Sequence, residues 1–492
     1  MESYQALYAQ YEDSNVVAKA RDYARYTLPY ICAQSTQSGD GRRQQLERDY
    51  QSVGAFLISN VSAKLAEALF PSNRRMVRVD IKGEPRSRAS SLDSALLAIE
   101  TELVKIARAN GGYAQLIECI QHLYVTGQCC LRRLSGGGYL VYGLNSFVTR
   151  RDSYGTVVDA VIREYIDYSQ IPEDIREANN LKDNLKPWAL YTRVQHVDGI
   201  VRVIQKLADR DTIIGTAEYP VKGCPFIFPT LHLSSGEHYA RGEVETYAGD
   251  FQRLSNLSEA GVLYEVEALK VLHITRGAGP AIEDLRSAGC GEFIELPQQT
   301  QVEAYEGGDY NKLAQVNAEV NGIIQRLYQS FAYAGSQRDA ERVTAEEVRI
   351  VATEADRSSA SAYSILGKTL QIPLAYVLLE EMDSQLFQGV AGGAISLDVS
   401  AGLDALGRTI ESQQLMQALS ESGNALVAVQ NINQVSGGIL DPIKIMQQIF
   451  TANGVELDDY TKPKEQLQQE QTANANVNLA MADPNLQGAL GA

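Results

Sequence analysis

Leu313, Val316, Val320, Ile323, Ile324, Leu327 and Phe331 recur at i+3/i+4 spacing over about five turns, which commits this stretch to a long helix with one buried face. Helical periodicity also runs from about Glu243 to Leu272. Between the two lies a segment rich in glycine and proline, from Arg276-Gly277-Ala278-Gly279-Pro280 to Gly307-Gly308, with Phe293-Ile294-Glu295-Leu296 predicted as a short strand. Two long helices therefore flank a compact insertion, and the rest of the fold has to be arranged around that unit.

The chain before this unit divides by pattern. Leu57, Val61, Leu65 and Leu69 recur at i+4 and predict an apolar helical stripe that stops at Phe70-Pro71. From about Tyr139 to Thr230 short β-rich pieces take over. Asp198-Gly199, set between Ala189-Val197 and Ile200-Leu207, is a strong two-residue hairpin signal. After the second long helix, the polar stretch Gly335 to Arg342 reads as a loop. The helix that follows is announced by Thr344 as N-cap, with Glu347 closing a capping box and Val343 and Val348 in the staple positions. Ile372-Pro373 is expected to break or kink what comes next. Helices with Gly-rich turns such as Gly437-Gly438 continue from Leu403 to Phe450, and beyond Tyr460 a Gln-, Asn- and Ala-rich tail is too polar to build a core by itself.

Composition limits the function. With 492 residues and 45% hydrophobic content, most of the chain is expected to fold. Asp and Glu total 61 against 44 Lys and Arg, a formal net charge of −17, which excludes a protein that coats nucleic acid by bulk attraction. Six scattered cysteines suggest neither a disulfide framework nor a C-x-x-C site, and a reducing compartment fits them. The start Met1-Glu2-Ser3-Tyr4-Gln5 lacks the marks of a secretory signal, and the longest apolar candidate, Ile372 to Leu379, is short for a membrane span. A soluble product with no membrane partner is the expectation.

Catalytic patterns fail one by one. No G-x-S-x-G, H-E-x-x-H or EF-hand loop occurs, and no two of His122, His196, His232, His238 and His273 stand i, i+4 apart. Gly367-Lys368-Thr369 ends like a phosphate-binding loop, but Ala362 occupies the place of the earlier glycine and its surroundings read as helix. Gly277-Ala278-Gly279 begins a dinucleotide fingerprint that Pro280 and Ile282 spoil. The paired arginines Arg42-Arg43, Arg74-Arg75, Arg132-Arg133 and Arg150-Arg151 are expected to find acidic partners in so acidic a chain. Neither metal nor cofactor is called for.

The collinear set of Tyr26-Thr27-Leu28-Pro29, the Val53 to Pro71 helix ending Leu69-Phe70-Pro71, Tyr247-Ala248-Gly249-Asp250 with Leu254 and Asn256-Leu257, Glu341-Arg342-Val343-Thr344-Ala345-Glu346-Glu347-Val348, and Gly402-Leu403-Asp404-Ala405-Leu406-Gly407-Arg408 resembles the portal proteins of short-tailed bacteriophages. The resemblance implies an α+β, mainly helical portal fold with wing, stem, clip and crown. By the family's organisation, residues 1–242 would be the wing, 243–272 the first stem helix, 273–308 the clip and 309–334 the second stem helix. The tunnel loop would be 335–343, the tunnel helix and wing return 344–402, the helical crown 403–460, and the C-terminal tail 461–492.

The resemblance further implies a non-enzymatic homododecamer, a ring of about twelve copies, at one capsid vertex of the virion, assembled in the host bacterial cytoplasm. Double-stranded DNA would pass through its channel during packaging and ejection. Implied partners are a tail adaptor protein, a transient terminase packaging motor, major capsid and scaffolding proteins, and internal core proteins. In that channel Gln337, Arg338 and Arg342 are expected to approach the axis while Asp339 and Glu341 limit their grip. Arg338 and Arg342 are the leading DNA contacts, with Arg342 equally placed to pair with a neighbouring subunit's acid, and Glu283, Asp284, Arg286 and Glu292 would face tail or motor at the clip. An acidic wall makes physical sense for a conduit, since it repels phosphates while a few cations give transient contacts. Two rivals stay open on sequence alone: an α/β enzyme using the Gly367-Lys368-Thr369 segment, and a capsid adaptor or scaffold without a channel.

Overall fold

The computed structural model describes residues 3–32, 49–72, 75–81, 91–183, 187–208, 212–268, 271–276, 282–287, 301–306, 310–331, 361–382, 387–388 and 395–399, with short helical pieces between 416 and 449. The chain divides into two units, Met1–Leu403 and Asp404–Ala492, and the short pieces are what is described of the second.

The first unit opens with helices α1 (Tyr4–Tyr11), α2 (Ser14–Tyr26) and α3 (Val53–Leu69). Asp13 starts α2 by accepting from the backbone N–H groups of Asn15 and Val16, at 3.0 and 3.3 Å. On α3 the buried stripe comprises Leu57, Ile58, Ser62, Leu65, Ala66 and Leu69, so Val61, expected in the centre, lies at its edge, half-buried. The shift follows from geometry: a strict i+4 row drifts around a 3.6-residue turn, and the face that packs is the i+3/i+4 mixture.

Strand β1 (Val77–Ile81), α4 (Ser91–Arg108) and α5 (Gly112–Thr126) follow; α3 packs on α5, whose Leu116, Ile120 and Leu123 are fully buried. Gly127 stops α5 with φ at 85°; a Cβ there would also lie 2.4 Å from the carbonyl oxygen of Ala240, so both the turn and the crossing chain demand glycine.

Strands β2 (Cys130–Arg133), β3 (Tyr139–Tyr142) and β9 (Phe226–Ile227) form one small antiparallel sheet in the order β3-β2-β9. Between β3 and β9 a five-stranded antiparallel meander is laid down in chain order: β4 (Phe147–Arg151), β5 (Val157–Ile166), β6 (Trp188–Val197), β7 (Ile200–Leu207) and β8 (Ile213–Pro220), with α6 (Glu173–Ala178) in the β5–β6 connection. The predicted hairpin is there: Asp198 and Gly199 take φ of 51° and 81°, both positive as a type I′ turn requires, and Val197 faces Ile200. One sheet face is covered by α1, whose Tyr4, Leu7 and Tyr8 bury against Val148, Val161 and Tyr191.

Beyond β9 come α7 (Glu243–Thr246), α8 (Ala248–Ala268), β10 (Val271–Arg276), α9 (Ile282–Ser287), β11 (Gln301–Glu306), α10 (Tyr310–Ser330), α11 (Ser361–Met382) and β12 (Ile395–Val399). The apolar Ile372-Pro373 segment does not break α11. A π-helical turn at Gly367–Gln371 widens the helix just before Pro373, where a proline ring would otherwise clash with the preceding turn. Although α11 is long and apolar enough to qualify as a membrane span, Leu366, Leu370, Leu374, Leu378 and Leu379 are buried in the protein core.

Two long-range ties close this unit. Strand β12 pairs antiparallel with β1, Val77 opposite Val399 and Ile81 opposite Ile395. Gln371, fully buried on the π-turn, donates from its side-chain amide to the carbonyls of Leu69 and Met76 at 2.7 and 2.8 Å, serving the end of α3 and the approach to β1 together.

Candidate functional site: the paired helices α8 and α10 and their neighbours

The helical stretch expected over 243–272 is shorter and interrupted. Tyr247 separates α7 from α8, α8 ends at Ala268, and Val271–Arg276 is a strand, because residues 271–276 pair with 301–306 from Val271 opposite Glu306 to Arg276 opposite Gln301. Helices α8 and α10 thus leave and re-enter a β10–β11 ladder as an antiparallel pair. The expected strand at 293–296 lies outside the described residues.

The pair is fastened at its base. Phe331 packs against Tyr247 and Phe251 with ring centroids 5.5 and 6.0 Å apart, and Phe251, Leu254, Ile323, Leu327 and Phe331 are buried. Arg326 pairs with Asp250 at 3.0 Å, and Arg253 pairs with Glu319 further along. All four charged side chains are substantially exposed, so these pairs set register more than they stabilise.

Burial fades towards the ladder. Leu313, Val316 and Val320, part of the apolar row that defines α10, are only half-buried, and on α8 Val262, Leu263 and Val266 are exposed at 47, 61 and 56%. The opposite face of α10 carries Ala314, Ala318, Asn321, Gln325 and Gln329, spaced by three or four residues, all exposed and all uncharged. The two cations of the paired helices that lie in the described contacts, Arg253 and Arg326, are held on the flank by their acids.

Of the residues singled out in sequence, Glu283, Asp284 and Arg286 fall on the six-residue α9 between the two ladder strands, with Glu283 and Arg286 exposed. The Ser287 hydroxyl donates to the Glu283 carbonyl at 2.8 Å. Glu292, Gln337, Arg338, Asp339, Glu341, Arg342, Thr344 and Glu347 lie outside the described residues, as do Gly437-Gly438 and the C-terminal tail.

The Gly367-Lys368-Thr369 segment, set aside as a phosphate loop, is helical: Gly367 is buried and the Thr369 hydroxyl is engaged with the carbonyls of Ile365 and Thr230, both at 3.0 Å. Most of the described paired arginines have acids, Arg75 with Glu100 at 3.2 Å, Arg132 with Glu164 at 3.8 Å and Arg133 with Glu381 at 3.0 Å. The uncharged face of α10 and the exposed apolar row of α8 were not singled out in sequence; the signal was there, in the positions left over once the buried row had been assigned.

The site is thus a helical pair with a β-ladder at one end, attached to a mixed sheet-and-helix body. The sequence pattern of the bacteriophage head to tail connecting proteins matches residues 2–458, and the chain belongs to that family. It is 35% identical over 481 residues to the portal protein of Pseudomonas phage phiKMV, covering 94% of this chain and 92% of that one. It is 28% identical over 487 residues to the portal protein of Enterobacteria phage T3, covering 94% and 89%. A chain from the virion of a native gene transfer agent particle aligns over 92% of this chain and 98% of its own at 12% identity, with a TM-score of 0.43, too loose a likeness to carry weight.

Proposed function

We propose that the chain assembles into a ring of about twelve copies at one capsid vertex, forming the channel through which the genome is packaged, retained and ejected, and to which the tail is attached. The observation that carries this reading is the collinear match to a portal protein across 94% of the chain. The role is structural, with no reaction of its own, and it is exercised in the virion after assembly in the host cytoplasm. Its partners are further copies of the chain, duplex DNA, a tail adaptor, a transient terminase motor, capsid and scaffolding proteins, and internal core proteins.

Within that ring α8 and α10 form the stem. Their exposed apolar row, Val262, Leu263 and Val266, is covered by the neighbouring subunit. The uncharged face of α10 turns to the lumen, where amides and small side chains offer phosphates no fixed cation to dwell on. Charge is then delivered by the loop at 335–343, where Arg338 and Arg342 touch DNA and Asp339 and Glu341 limit their grip, while Glu283, Asp284 and Arg286 on α9, with Glu292, meet the tail or the motor.

Electron microscopy of the purified protein tests the assembly: rings with a lumen wide enough for duplex DNA are expected. Rings without such a lumen would favour an adaptor or scaffold, and a monomer would overturn the reading. Arg338→Ala combined with Arg342→Ala is expected to leave ring yield unchanged while particles lose packaged DNA; normal retention would remove the loop from the mechanism.

A further inference from the structure

Arg151, the last residue of β4, differs from the other described paired arginines. Its side chain is 7% exposed, Nε donates to the His238 carbonyl at 3.3 Å and Nη1 to the Gly155 carbonyl at 2.9 Å, and Nη2 has no acceptor. Burial alone pulls its pKa down, to about 10, so it remains protonated near neutral pH, and no described carboxylate stands beside it. A buried cation without a counter-ion is costly unless something supplies the anion.

Arg151 lines a cavity of about 770 Å³. Lys222 and Lys368 line it too; the Lys222 ammonium lies 5.0 Å from the ring centroid of Tyr376, and Lys368 is exposed with no described ion pair. His232 is also in the wall, already held by Glu243 at 2.8 Å. No Asp or Glu is among the described lining residues, although the chain as a whole has a net charge of −17. The remaining wall is largely apolar, with Phe226 and Phe228 on it, and Tyr154, 93% exposed, stands at the rim.

We propose that this cavity receives an acidic segment of a second copy of the chain, whose carboxylates meet Arg151, Lys222 and Lys368 while an apolar residue beside them seats on the phenylalanine wall under Tyr154. This rests on the ring reading, because the ring is what brings a second copy alongside at a fixed position. Charge complementarity selects the occupant: the chain carries 61 acids against 44 bases, so a neighbouring copy presents carboxylates in surplus to a pocket that has none. The volume is within the range of a small ligand or a few residues, about 300–1,000 Å³, and cannot admit a duplex.

Purified rings of the full chain treated with a carbodiimide, which joins lysine to carboxylate with no spacer, test this. A covalent dimer band is expected on a denaturing gel, with Lys222 or Lys368 linked in it to an Asp or Glu of another copy, and most of that linkage is lost in Lys222→Gln combined with Lys368→Gln. With p-benzoylphenylalanine at Tyr154, irradiation is expected to give dimers as well. Lysine links found only in the monomer band would assign the cavity to an acidic segment of the same chain. Protection of both lysines from acylation by added inorganic phosphate or DNA would assign it to a phosphate ligand. Either result, or the absence of both cross-links in intact rings, overturns the proposal, whereas a preparation without rings in the micrographs would instead fail the reading on which it rests.

Discussion

The β4–β8 meander and the α8–α10 pair, the stem of the proposed ring, bury their apolar residues in opposite ways. In the meander, α1 seals one face with Tyr4, Leu7 and Tyr8, and a largely buried charge is neutralised within the sheet, Arg193 reaching Asp159 through two side-chain bonds of 2.6 and 3.0 Å. In the stem, packing is complete only where Phe251, Leu327 and Phe331 meet, and apolar surface is left open beyond. The meander covers the apolar face under α1 within one chain, and Arg151 at the end of β4 is a buried charge it leaves without an acid among the described residues. The stem has surface to spare, which the proposed ring would cover with another copy.

The largest effect should come where the two regions are alike, at a filled core. Phe251→Ala is expected to cost about 3–5 kcal/mol in urea unfolding, because a fully buried ring against Phe331 leaves a cavity; a loss as small as that of a surface substitution would mean that the stem base is not packed in solution. Arg193→Ala should cost about 3 kcal/mol in the same measurement by stranding the Asp159 carboxylate, which is 4% exposed. Retained stability would show that the sheet tolerates an unpaired acid and weaken the contrast.

A smaller effect is set by pH. His122, buried on α5, has its pKa lowered by burial from 6.5 to about 4. As pH falls below 6.5 the unfolded chain takes up a proton that the folded chain refuses, so stability is complete above that value and declines by about 1.4 kcal/mol per pH unit towards pH 5. His122→Gln should flatten this slope in unfolding curves recorded between pH 7 and 5; an unchanged slope would place the titrating group elsewhere. Smallest for the single chain is Val262→Ser with Leu263→Ser and Val266→Ser, which should change unfolding of the unassembled chain by no more than about 0.5 kcal/mol while reducing ring yield. Equal ring yield would break the proposed difference between the two regions.

Much of the local structure was legible. The i+3/i+4 row of α10 and the stop at Phe70-Pro71 are properties of neighbouring residues, and so is the Asp198-Gly199 turn, which only needed two residues able to adopt positive φ. The errors were also local in cause. Val271 and Leu272 look helical next to α8 because short apolar runs fit both periods, and only the pairing of 271–276 with 301–306 makes them the start of a strand. Of the break or kink expected at Ile372-Pro373, the break does not occur, because a π-turn can absorb a proline that a regular helix cannot. As for the candidate site, Glu283, Asp284 and Arg286, which the resemblance assigns to the clip, lie on α9, while the loop residues from Gln337 to Arg342 stand on their sequence and the family resemblance alone.

By itself the sequence determined the buried row of α10, the stop of α3 and the Asp198-Gly199 turn, the acidic balance that argues against a DNA coat, and, through collinear landmarks, the family. Those are carried by residues within a turn or two of one another or by simple sums. The tertiary structure decided what depends on residues far apart in the chain: the β1–β12 ladder, the Gln371 amide shared between Leu69 and Met76, and which arginines find an acid. Arg151 and Arg133 are both largely buried arginines of doublets, yet only a folded chain brings Glu381 to one and leaves the other facing a cavity with no carboxylate among its described lining residues. Periodicity is a local property, whereas a counter-ion is a position in space.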